Sequence, residues 1–308
     1  MNNNMKKLFN KINELWLNFK KWSDTNILGY LIGSTVKIIL IIIVFVSIYY
    51  AVFTTGAFKD DSSSNSTISD SSDTSNDNCT VRGIELHGMI ATYLPLHADN
   101  DTNFNYDSVS SENVAYAIKQ ANDDERINAI LIDTDSSGGY PVAGEEISIA
   151  IKNSKKPIIA LIREQGDSAA YWAISSASKI FASRNSEVGS IGVTQSYLSN
   201  VKKNAKDGLT YESLSTGKFK DAGNADKPLT AEEKALFMRD LNIIYNNFIA
   251  DVAQNRKIPI DKVRSFSDGS TVLGTKALEL GLIDQIGGLP EVEQYLEKTT
   301  GETSTICW

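Results

Sequence analysis

The stretch IIALIREQGDSAAYWAIS, residues 158–175, decides the fold. The aliphatic run from Ile158 to Ile162 reads as a strand, and charged and polar residues and a glycine follow it. Ser168 then heads a small-residue segment suited to a helix. A serine at such a junction points its hydroxyl from a helix N-terminus, beside amides without an intrahelical partner, where developing negative charge is stabilised. The same position is also an ordinary helix N-cap, a role that serine fills readily.

Outward from this junction the chain alternates. VRGIELHGMIA (81–91), INAILIDT (127–134), PIIALIR (157–163) and KIFAS (179–183) are candidate strands, with helices at 112–123, 142–153 and 168–177 between them. This rhythm predicts an α/β domain. The second half is more helical. TAEEKALFMRDLNIIYNNFIADVAQNR opens with a capping box, Thr230 to Glu233, and repeats Leu236, Leu241, Ile244, Phe248 and Val252 near helical spacing, so it is expected to pack on the sheet or on a neighbouring subunit.

A second strand-to-helix junction lies in DTDSSGGY, residues 133–140. Its paired glycines, Gly138 and Gly139, can take backbone angles closed to other residues and present amide hydrogens to a ligand. An ordinary turn explains Ser-Gly-Gly alone; two such junctions about thirty residues apart allow a nucleophile and an oxyanion hole. The proton acceptor is not evident from histidine. The chain has only His87 and His97, in a strand and in the irregular segment after it. Lysine can serve if burial lowers its pKa from about 10.4 toward 7 or 8. LSTGKFKDAG offers Lys218 and Lys220, which alternation places on one side of an extended segment with Phe219 opposite. Spacing alone does not choose between them.

From about Arg82 to Glu297 the chain resembles the signal peptide peptidase A family of membrane-bound serine proteases. The motifs that carry the likeness are DSSGG, SAAYWAISSASKIFAS, VGSIGV, GKFKDAG and SFSDGSTVLGTKALELGLIDQIGG. The resemblance implies a Clp protease and crotonase-like domain with repeated β-β-α units and a Ser-Lys dyad. It assigns the nucleophile to Ser168 and the general base to Lys220, leaving Lys218 a bystander. It assigns a lysine-orienting hydroxyl to Ser190 and oxyanion donors to Gly138, Gly139 and the amide of Ala169. It further implies a homo-oligomer in which adjacent protomers contribute serine and lysine, acting on hydrophobic peptides such as signal peptide remnants. The chain departs from the family pattern at Ser137, Ala169, Ala170 and Asp167, where the family has proline, two glycines and a small residue. A carboxylate at Asp167 would favour protonated lysine, which works against a lysine base.

The remaining sequence suggests how such a domain would be placed. Lys6, Lys7, Lys11, Lys20, Lys21 and Lys37 make residues 1–35 and their border basic, and Leu8, Ile12, Leu15, Phe19 and Trp22 give an amphipathic stripe. Residues 36–58 include IILIIIVFVSIYYAVF and are expected to form a single transmembrane helix. The lysines before it predict a cytoplasmic N-terminus and an extracytoplasmic protease domain at the cell membrane. Residues 59–80 read as a flexible linker, 81–299 as the protease domain and 300–308 as a C-terminal tail. Cys79 and Cys307 bracket the domain and could close its ends in an oxidising compartment.

A formal net charge of −8 without a basic stripe argues against nucleic acid as a partner. No cofactor is expected, and the sequence carries no metal-ligand cluster. The alternative to a protease is a catalytically weak relative that binds peptides or assembles at the membrane, motivated by Asp167 and the missing glycines.

Overall fold

Ile158 to Ile162 are all buried because β4 (Ile158–Asp167) runs inside a mostly parallel sheet covered on both faces. The computed structural model describes residues 79–94 and 108–308. Within these, β1 (Val81–Ala91), β2 (Ser108–Ser110), β3 (Ala129–Gly139), β4, β5 (Lys179–Ala182) and β8 (Gln285–Ile286) stand in the order β2-β1-β3-β4-β5-β8. Short β6 (Glu187–Gly189) continues beside the end of β4 and pairs antiparallel with β7 (Thr271–Leu273).

Alternation along the strands sorts side chains between two layers. Ile84, Leu86, Ile130, Ile132, Ala160 and Ile162 belong to one core together with Val114 and Ile118 of α1 (Ser111–Asp123), Ile147 of α2 (Pro141–Lys152) and Ala170 of α3 (Ala169–Ile174). Leu131, Ile159, Leu161 and Phe181 form the other with Val292 and Leu296 of α8 (Leu289–Thr300). Toward the strand ends this second face turns polar. Asp133 is buried there, with the Arg163 guanidinium at 3.3 Å and His87 Nε2 at 3.4 Å.

The expected α/β alternation is present, opening with one β-β-α unit. Beyond β6 the chain runs irregularly to Thr230 apart from α4 (Val201–Lys206). Helix α5 (Ala231–Arg256) then starts with the anticipated capping box, in which the Thr230 hydroxyl accepts from Glu233 N–H and the Glu233 carboxylate accepts from Thr230 N–H. Its C-terminal half is anchored: Phe248, Ile249 and Val252 are buried. The fold closes through α6 (Ile260–Phe266) and α7 (Gly274–Leu280).

The last residues, expected as a tail, are instead part of the sheet. β9 (Ile306–Cys307) pairs with Val81 and Arg82 of β1, and a Cys79–Cys307 disulfide joins Cα atoms 5.9 Å apart. A side chain at Gly83 would collide with the Trp308 ring, 2.4 Å from the position of its Cβ. Among the described residues no helix is long and apolar enough to cross a membrane. The amphipathic segment, the expected span at 36–58, nearly all of the linker and His97 lie outside them.

Candidate active site

Ser168 stands where β4 ends and α3 begins, with φ 51° and ψ −124°. For a residue with a side chain this conformation costs on the order of 1–3 kcal/mol, so it persists only where neighbours impose it. The Ser168 N–H donates to the Gly189 carbonyl at 2.8 Å, and its own carbonyl accepts from Trp172 N–H at 2.9 Å. Its side chain makes no cap hydrogen bond. The simple N-cap role is thereby set aside, because the turn that exposes the hydroxyl also turns it from the helix amides it would cap.

The Ser-Gly-Gly loop lies directly against this turn. A Cβ at Gly138, whose φ is +106°, would be 2.7 Å from the Ser168 Cβ and 2.9 Å from the Ala169 nitrogen. Ser136, absent from the sequence-based site, holds the loop: its buried hydroxyl donates to the Gly88 carbonyl at 2.6 Å and accepts from Gly138 N–H at 3.1 Å. The Gly138 amide is therefore committed, and the residue serves by permitting close approach. Tyr140 N–H donates to the Ile90 carbonyl. Gly139 is pressed against β1, where a Cβ would stand 2.1 Å from the Ile90 carbonyl oxygen. Gly139 and Ala169 are left as the candidate oxyanion donors.

A cavity of about 760 Å³ opens over these groups. Gly139, Ser168, Ala169 and Ser190 line it together with an apolar wall of Trp172, Met238, Leu241, Tyr245 and Phe248. Trp172 stacks on Phe248 with centroids 4.7 Å apart, and its indole N–H donates to Asp251 at 2.7 Å. Ser190, also at positive φ (46°), donates to the Gly269 carbonyl at 3.0 Å. Its hydroxyl thereby ties two turns that border the cavity.

Asp167 is 5% exposed, and its Oδ1 has no hydrogen-bond partner among the described residues. Burial, with a smaller contribution from Glu187, pushes its carboxyl up to about 6. The expected influence of this residue is thus accompanied by a physical cost of its own.

His87 is beside Asp133 and does not line the cavity, and His97 lies outside the described residues. Lys220 does not line it either. The expectation of an extended lysine segment is corrected. Residues 217–223 form turns in which Lys220 N–H donates to the Gly217 carbonyl, because Gly217 and Gly223 both adopt positive φ. Lys218 pairs with Glu232 at 2.6 Å and lies over the Phe219 ring, 5.4 Å from its centroid. Asp221 accepts from Tyr211 and Asn224 and, with Glu233, faces Lys227, which fastens the turn to the start of α5. Lys220 is left exposed on this arm.

The fold is α/β, and an uncapped serine at a strained strand-to-helix turn with backbone amides beside it is an arrangement suited to nucleophilic attack. Residues 150–302 match the family described as Peptidase family S49, and this match and the relatives below support the resemblance to signal peptide peptidase A. The chain is 30% identical over 185 residues to the chloroplastic serine protease SPPA of Arabidopsis thaliana, covering 59% of this chain and 27% of that one. It is 25% identical over 199 residues to protease 4 of Haemophilus influenzae, covering 64% and 32%. A mutant of ClpP1 from Listeria monocytogenes aligns with a TM-score of 0.45 at 14% identity, over 68% of this chain and 93% of that one. The chain spans less than two thirds of the length of these curated relatives.

Proposed function

We propose that the protein is a membrane-anchored serine endopeptidase that cleaves hydrophobic peptides, signal peptide remnants among them, outside the cytoplasm. The observation that carries this reading is the strained, uncapped Ser168 at the head of an apolar-walled cavity. In the proposed reaction Ser168 Oγ attacks the peptide carbonyl, and its proton passes to the neutral amine of Lys220. The oxyanion is held by the N–H groups of Gly139 and Ala169. The lysine returns the proton to the leaving amine, an acyl-enzyme forms, and water then releases the acid.

Lys220 is outside the cavity of its own chain, so the lysine in this scheme comes from a second copy. What supports that reading is an exposed arm bearing both Lys220 and apolar side chains, with Leu198 83% and Leu214 92% accessible. Burial of the arm against a neighbour would also supply the desolvation that a lysine base requires.

The test uses the full chain in detergent. Wild type should take up a fluorophosphonate and digest an unfolded protein, whereas Ser168→Ala and Lys220→Ala should do neither, and Lys218→Ala should do both. Mixing the two inactive variants should restore cleavage if copies share sites. A second reading, a peptide-binding relative with little catalysis, is favoured by buried, unpaired Asp167. Silence of the assembled wild type toward the fluorophosphonate would select it.

A further inference from the structure

Among the described residues that line the cavity over Ser168, one carries a formal charge, Asp268. It lies on the turn after α6, where its Oδ1 accepts from the Ser270 hydroxyl at 2.5 Å and from the Ser270 N–H at 2.9 Å. These two donors, the hydroxyl first, hold its carboxyl below the ordinary range, so it is ionised wherever the protein is folded near neutrality. Among the described residues the carboxylate has no ion-pair partner. The turn is also fixed relative to the site, since neighbouring Gly269 accepts from Ser190.

The cavity therefore offers two unlike surfaces to one peptide. The α5 side, with Met238, Leu241, Tyr245 and Phe248 beside Trp172, suits an apolar side chain. The Asp268 side presents a negative charge with no countercharge among the described residues. Resting on the peptidase reading above, we infer that Asp268 is a specificity determinant which selects peptides carrying a lysine or arginine close to the cleaved bond, next to an apolar residue. An apolar run bordered by basic residues is also the composition of signal peptides. A lysine acting as base must be uncharged to accept the serine proton, so Asp268 is better suited to a substrate cation than to the base.

The inference is tested on the full chain with an apolar peptide series that carries lysine, norleucine or glutamate in turn at each position flanking the scissile bond. Wild type should show, at one position, a kcat/KM about tenfold higher for lysine than for norleucine, the effect of one charge-assisted hydrogen bond. Asp268→Asn, which can still accept from Ser270, should bring that ratio close to one; Asp268→Glu should keep it, and Asp268→Lys should turn the preference toward glutamate. A wild type that takes up the fluorophosphonate and cleaves with no lysine preference anywhere overturns this inference alone. So does a preference that survives in Asp268→Asn, or a loss of fluorophosphonate uptake in that variant, which would place Asp268 with the catalytic base. A wild type that neither reacts nor cleaves removes the peptidase reading and the inference with it.

Discussion

Ser168 and Gly189 are joined by a 2.8 Å hydrogen bond from the serine N–H to the glycine carbonyl. This contact links the turn that carries the candidate nucleophile to the strand that leads into Ser190. The strain at Ser168 is then borne by β6, and it can be measured. Ser168→Gly should stabilise the protein by about 1 kcal/mol in denaturant unfolding, because glycine takes positive φ without cost. Ser168→Ala should not, and both should fail to react with a fluorophosphonate.

Gly138 tests the close approach. Alanine there meets the Ser168 Cβ at 2.7 Å with a backbone that already has φ of +106°. Gly138→Ala should lower stability by about 1–3 kcal/mol and reduce fluorophosphonate uptake by at least tenfold. Unchanged labelling kinetics would show that the loop can move aside.

Asp167 gives a pH dependence with a defined sign. Its folded carboxyl is raised to about 6 from an ordinary value near 3.8, so the folded state binds the proton more tightly than the unfolded chain. That contribution to stability is full below pH ~4 and is lost as pH rises through about 6. The melting temperature of Asp167→Asn should therefore exceed that of wild type increasingly from pH ~4 to pH ~7.5. A constant difference across this range would show that the carboxyl is not the cause.

The Cys79–Cys307 bridge closes a loop with a sequence separation of 228. Replacing both cysteines by serine should cost about 2–5 kcal/mol of stability. Thermal unfolding with and without reductant checks this, since only wild type should respond to the reductant.

Much of the sheet is legible in the sequence because parallel strands buried on both faces need continuous apolar runs, as at Ile130 to Ile132 and Ile158 to Ile162. The start of α5 is legible because Thr230 and Glu233 form a local, reciprocal cap. Ser168 and the glycine loop can be found from their junctions and motifs. The commitment of the Gly138 amide is not legible, since it depends on Ser136 meeting Gly88, 48 residues away in sequence. A serine two places before a turn glycine is the one local hint, and it is common. The lysine arm misleads for a related reason: alternation around Phe219 suggests a strand, but among the described residues no edge partner makes it one, and the two glycines fold it into turns.

The Ser136 hydroxyl has a single proton, and Gly88 receives it, so only a lone pair remains to meet the Gly138 amide. The loop thus has a built-in polarity: one rotor, set by the first strand, dictates the orientation of a glycine beside the nucleophile. A threonine could preserve this wiring, whereas an alanine would disconnect both ends in one step.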